Sequence, residues 1–321
     1  MTTLADAPPP IVVDDVVAVE GRTPWQLFWA RFKQDHAAMI GLALIGFIVA
    51  LAVAAPLIAQ VTGHGPNEIV EPSQTNDFGL PLGPNGTVWL GADRSGRDVL
   101  VRLAYGARVS LLVGIVASSI ALFIGVTLGI LAGYFGKWLD SLISRFTDII
   151  LALPLVIFAI GIVAACSTTA KGCLNGALKP GLPLVILIVA LFSWPQPARL
   201  VRGATLSLRE KEFVESARSL GASEWRIMFR EILPNLMAPI IVWGSLLVPA
   251  SILFEAYLSF LGLGVPGNVP SWGRMLSEAV EIFGVAWWFW LFPGVMLMLI
   301  VLAFNLLGDG LRDALDPRTG R

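Results

Sequence analysis

From Ala37 to Ala59 the chain runs 23 residues without a charged side chain. At about 1.5 Å per residue, a helix of that length covers the ~30 Å hydrocarbon core of a bilayer. In lipid every backbone N–H and C=O must be satisfied within the segment, so a run of this kind can only be helical. Further apolar stretches follow at about residues 109–135, 142–165, 182–197, 235–261 and 285–307. Together they predict an all-α integral membrane protein with six transmembrane helices, in one domain spanning 37–310. Only 14% of the 321 residues are charged, against about 25% in soluble domains. That low charged fraction points to membrane lipid as surroundings, and the net charge of −1 points to no nucleic-acid partner.

Residues 1–22 hold three consecutive prolines and no aromatic residue, which predicts a disordered cytoplasmic tail. Thr23-Pro24-Trp25-Gln26 then reads as a helix start with a capping box. Trp25, Phe28, Trp29 and Phe32 fall on one helical face beside Arg31 and Lys33. That is the pattern of an amphipathic helix lying in the headgroup layer, over residues 23–36. Ala52-Val53-Ala54 resembles a signal-peptidase site, but the segment before it is too long for an ordinary leader, and cleavage is not expected. In the second span Ala117, Ala121, Gly125, Gly129 and Gly133 repeat every fourth residue. Small residues at that spacing make a helix-packing seam, because they let another backbone approach closely. Pro154 predicts a kink in the third span.

One polar stretch interrupts this pattern, from Gln196 to Pro234. It holds seven of the 22 Lys and Arg residues and five Glu. Two short amphipathic helices are expected to meet in it at Leu220-Gly221-Ala222-Ser223. Gly221 permits a left-handed turn and Ser223 can cap the second helix. With the N-terminus inside, 15 Lys and Arg lie on the inner side and seven on the outer side. The positive-inside bias thus places this loop (196–234) and both termini, including the tail 311–321, in the cytoplasm.

No catalytic constellation, nucleotide-binding loop or metal motif is present, so the chain reads as a non-enzyme that binds no cofactor. The ionisable residues inside spans are functional candidates. Asp148 lies in the third span with Arg145 one turn earlier on the same face, and reads as a locally compensated pair or as a gate element. Glu255, near the outer end of the fifth span, either lines a pathway or satisfies backbone groups where its helix ends. Cys166 and Cys173 fall in a short loop on the expected outer face, where disulfides persist. The spacing leaves both a bridge and two free thiols open.

Glu215-Ser216-Ala217, three residues, Gly221, then nine residues to Glu231 and Ile232-Leu233-Pro234 resembles the coupling loop of ABC importer permeases. Ser216 replaces an alanine there, and Glu231 takes an aliphatic position. LGADRSGRDVLVRLAYGARVSLLVG, GYFGKWLDSLISRFTDIILALP, LSFLGLG, PSWGRML and NLLGDGLRDALDP extend the resemblance to the dipeptide, oligopeptide and nickel permeases. Within them the chain is most similar to the "C" type subunit. The resemblance implies the type I importer fold and a heterodimer with a second, homologous permease subunit. It also implies two ABC ATPase subunits or domains that use ATP and Mg, and an extracytoplasmic substrate-binding protein. Glu215, Ser216, Ala217, Leu220, Gly221, Ala222 and Ser223 would dock in an ATPase groove. The expected function is ATP-driven import of short peptides or related cargo. An ion-gradient-driven secondary transporter is the alternative.

Overall fold

The computed structural model describes residues 23–70, 80–167, 173 and 181–315. The expected tail at 1–22 and residues 316–321 lie outside them. Helix α1 (Pro24–Gln34) starts at Thr23, whose hydroxyl accepts from the Gln26 N–H while the Gln26 side chain accepts from the Thr23 N–H. Such reciprocal caps stabilise a helix start by about 1 kcal/mol. Asp35 ends α1 and caps α2 (His36–Thr62), the first long apolar helix. Pro56 inside α2 lacks an N–H, which leaves the Ala52 carbonyl without its helical partner. Arg108 donates to that carbonyl and to the one at Val53. Asp98 then caps α3 (Val99–Phe135), 37 residues long. This helix begins ten residues before the expected span at 109, because Asp98 supplies an N-cap within the polar loop.

Helices α4 (Lys137–Ala152) and α5 (Leu155–Ser167) meet at 86°. The expected kink at Pro154 is therefore a corner. Helices α6 (Leu182–Ser193) and α7 (Pro195–Leu208) follow each other through Trp194 and together form one candidate span of 27 residues. The short α8 (Glu212–Ser219) leads to α9 (Glu224–Arg226), which runs through a π-helical turn at Ile227–Ile232 into α10 (Leu233–Phe260). Helices α11 (Trp272–Ala279) and α12 (Trp287–Leu315) complete the described residues. Five of these helical stretches are long and apolar enough to cross a membrane, and the α4–α5 pair taken as one makes six.

The expected loop at 196–234 is thus mostly helical extension of its neighbours. Only residues 209–223 leave the two flanking stretches. The C-terminal tail expected from 311 is helical as far as Leu315.

Helix α3 is the central element and packs on α2, α6, α7 and α10. Its glycine seam faces α7. A Cβ on Gly125 would lie 2.8 Å from the Trp194 carbonyl oxygen, one on Gly129 2.7 Å from that of Ala198, and one on Gly133 2.8 Å from that of Arg202. Backbone against backbone at these distances excludes any side chain, and it maximises the dispersion contact that holds helices together in lipid.

On the side holding α11, the fully buried Trp272 donates its indole N–H to the Leu103 carbonyl at 3.1 Å. At the start of the sixth apolar stretch Trp287, Trp288 and Trp290 read, from the sequence, as an aromatic belt at the membrane surface. Trp288 is instead buried and donates to the Ala92 carbonyl at 3.0 Å. Gly91 must be glycine beneath it, with φ +83° and a Cβ position 2.5 Å from the indole.

A charged knot closes this end of the bundle. Arg97 and Arg102 both reach Asp93 and Glu278, and Arg274 reaches Glu278 at 3.1 Å. Arg102 and Asp93 are fully buried. Asp98 beside them also holds the His64 ring at 3.0 Å.

Candidate functional site

The corner between α7 and α10 is built by three local devices. First, α8 ends in a left-handed residue, Gly221, with φ +78°. The Ala222 N–H reaches back to the Ala217 carbonyl and the Gly221 N–H to that of Arg218. These two bonds are the Schellman pattern, which needs a residue tolerant of positive φ where glycine stands. Ser223 then caps α9 by accepting from the Arg226 N–H.

The third device is the π turn. Ile227, Met228, Ile232 and Leu236 are buried, whereas Glu231 is only partly so. A regular α-helix would bring residue 231 inward beneath 227 and 228. The wider turn skips one position and turns Ile232 in instead. The shift between Glu231 and Ile232, visible in the sequence as a departure from the coupling-loop pattern, is absorbed there.

The unit is rooted and yet protrudes. Val214 and Ile227 are fully buried in a cluster with Ile130, Tyr134 and Val201, and Ala217 and Ala222 pack against it. On the opposite face Glu215, Ser216, Gly221 and Ser223 are exposed, and Leu220 is 89% exposed. Trp225 and Phe229 stack in the open at 5.7 Å between ring centroids. A fixed knob with an apolar tip, ringed by Glu212, Glu215, Arg218 and Glu224, is suited to insertion into a partner's groove. The resemblance placed Leu220 in the docking loop, but its protrusion and the Trp225–Phe229 pair carry no signal of their own in the sequence. They emerge once the helix phase is known.

The remaining candidates separate from this corner. Asp148 pairs with Arg199 of α7 rather than with Arg145, because α4 turns its acidic face to α7 while Arg145 is exposed. Next to it, Asp140 is gripped by Arg202, with Nη2 at 2.7 Å from Oδ2, and this pair was not singled out from the sequence.

Glu255 is fully buried and lines no surface of the chain. It accepts from Ser259 at 2.7 Å and from Ser110 of α3 at 3.2 Å, so it ties α10 to α3. The sequence left open a gate or pathway residue and one satisfying backbone groups at the helix end; here its carboxylate is held by serine hydroxyls. Buried carboxylates need such donors, and three serines cluster here, Ser110, Ser259 and the α11 cap Ser271. Cys166 and Cys173 are joined by a disulfide, with Cα atoms 4.6 Å apart. Among the described residues no cluster of His, Cys, Asp and Glu is arranged to hold a metal ion.

The comparisons with known proteins agree with this architecture. The family described as "Binding-protein-dependent transport system inner membrane component" matches residues 125–321. The "N-terminal TM domain of oligopeptide transport permease C" matches residues 23–78. The chain is 42% identical to the dipeptide transport system permease protein DppC of Alkalihalophilus pseudofirmus, over 99% of this chain and 96% of that one. It is 41% identical to the glutathione transport system permease protein GsiD of Pectobacterium atrosepticum, over 96% and 95% of the two chains. In fold it is similar to a chain of the MetNI methionine ABC transporter in an inward-facing conformation. That match has TM-score 0.56 at 19% identity, over 67% of this chain and 96% of that one. The protein therefore belongs to the binding-protein-dependent transport system inner membrane components, as a non-enzymatic, multi-pass permease subunit of an ABC importer.

Proposed function

We propose that this chain forms half of a translocation pathway for short peptides and that a partner ATPase grips it at α8. The contrast within one corner carries the docking reading: Val214 is fully buried while Leu220, two turns on, is 89% exposed. A knob rooted in the membrane bundle transmits force without deforming. ATP binding that draws the partner ATPases together thereby shifts the population between inward-open and outward-open pathways. The relatives' printed cargoes, a dipeptide and glutathione, support the peptide class, since glutathione is itself a tripeptide.

The partners in this reading are a second, homologous permease, two ABC ATPases that use ATP and Mg, and an extracytoplasmic binding protein. The excess of Lys and Arg, 15 against seven, supports placing α8 and both termini in the cytoplasm. Helix α1 lies at the membrane surface. Phe28 and Phe32 pack with Leu307, Leu311 and Ala314 of α12, which leaves Trp25 and Trp29 exposed beside Lys33. Family membership replaces the ion-gradient alternative.

Gly221→Trp tests the docking directly. A Cβ at Gly221 meets nothing within 4 Å in this chain, so a bulky side chain costs only the strain of positive φ, about 1–2 kcal/mol. In the reconstituted importer this variant is expected to lose stimulated ATP hydrolysis and uptake while the permease still folds. Glu215→Lys is expected to act in the same direction. Normal ATP-driven uptake by both would refute the docking.

A further inference from the structure

We infer that the Asp140–Arg202 pair is a strut that makes α4 move with the docking helix, so that these two residues position the pathway during transport. The inference rests on the docking reading of α8. Helix α7 ends at Leu208 and α8 begins at Glu212, so a displacement of α8 reaches α7 within a few residues. At this junction Arg209 donates to the Gly133 carbonyl at 3.0 Å and fixes α7 to the C-terminal end of α3. Helix α7 thus moves with α8 and α3 as one packed body.

Helix α4 packs on that body near its end, through Ile150 beside Ala121 and Ala198 and through Phe146 stacked on Trp194, and near its start it is attached by charge. Its buried residues are Thr147 and Ile150, and Trp138, Leu142 and Ile149 point away from the bundle. Facing α7, Asp140 takes both contacts of the Arg202 fork and also accepts from Ser144 at 3.2 Å. Asp148 adds the Arg199 pair on the same side of α4. A two-point guanidinium–carboxylate contact fixes orientation as well as distance, which a single apolar contact does not. Beyond α4 the chain turns 86° into α5 across Leu153 and Pro154. Pro154 has no N–H to continue the helix there. A helix held at one end by a fork and turning a corner at the other works as a lever, and Asp140 is its handle.

The test uses the intact importer, with both permeases, both ATPases and the binding protein, reconstituted in proteoliposomes. Peptide imported per ATP hydrolysed is measured together with the ATPase retained per complex. Asp140→Asn and Arg202→Gln are each expected to retain the ATPases while imported peptide per ATP falls about tenfold. The exchange of the two residues, Asp140→Arg with Arg202→Asp, is expected to recover most of that loss. An unchanged ratio in the single variants, or an exchange no better than they are, overturns the strut. If the neutral variants do not assemble, Arg202→Lys keeps the charge but loses the fork, and its ratio is expected to fall about threefold. A wild-type ratio in Arg202→Lys then overturns the strut. Failure of the docking reading shows separately, as normal uptake by Gly221→Trp.

Discussion

Helix α3 has a cluster of ion pairs at each end, and the two are built in opposite ways. At its start Arg102 and Asp93 are fully buried and share partners with Arg97 and Glu278. Beyond its end Asp148 and Arg199 are 63% and 51% exposed, and the Asp140–Arg202 pair is partly open. Charges removed from water must stay paired, because an unpaired buried ion costs several kcal/mol. The first cluster therefore has one workable arrangement and fastens the loop before α3 to α11. Hydrated charges lose little on separation, so the exposed Asp148–Arg199 pair can part and re-form, while the two-point Asp140–Arg202 contact holds α4 to α7. One end of the molecule is locked by burial and the other is held by partly open pairs, and that second end adjoins α8.

Substitutions that attack this contrast should differ in size. The largest effect is expected from Arg102→Met, which leaves Asp93 and Glu278 short of a partner in a buried site and should destabilise by about 3–5 kcal/mol. Thermal unfolding of the purified permease measures it, and a wild-type melting profile would mean that the first cluster is not locked. Gly129→Ala strikes the packing beneath the second cluster. Its Cβ would stand 2.7 Å from the Ala198 carbonyl oxygen, and overpacking of this kind costs about 1–3 kcal/mol. If α7 swings away from α3 instead of staying packed on it, that loss will be absent.

Glu255→Gln keeps the shape and one of the two accepting oxygens, Oε1 used by Ser259 and Oε2 used by Ser110, and its amide N–H can donate to the other serine's hydroxyl oxygen. It should change stability by no more than about 1 kcal/mol and leave uptake intact. Abolished uptake in a well-folded Glu255→Gln permease would return this residue to the pathway. The smallest effect on stability is expected from Asp148→Asn, under about 1 kcal/mol and weaker still at high salt. Unfolding measured at low and at high salt separates it from the buried knot, whose contribution should be insensitive to salt.

What could be read in advance depended on whether the signal was local. The capping box at Thr23, the left-handed turn at Gly221 and the cap at Ser223 each involve residues a few positions apart, and each is visible as a short pattern. Apolar length marked the long helices for the same reason. The glycine repeat at 125, 129 and 133 marked a seam, but its partner helix lay in a stretch that looked like a polar loop. Asp148 had a neighbour at the right spacing in Arg145, and it took Arg199, 51 residues away. Trp288 looked like a belt residue and became a buried peg, because Gly83 and Gly91 leave room for the indole.

By itself, then, the sequence determined that this is a polytopic helical membrane protein and where α1 is capped and the turn at Gly221 stands. It also carried the motif that places the chain among importer permeases. Backbone satisfaction in lipid and capping chemistry act over one or two turns, so they are written in neighbouring residues. The tertiary structure alone decided which charges are buried together and that Glu255 is a tie between helices. It also decided that Leu220 stands free at the tip and that Arg202 of α7 meets Asp140 of α4. Those outcomes depend on which helix faces meet, and partners such as Asp140 and Arg202 or Arg102 and Glu278 stand 62 and 176 residues apart.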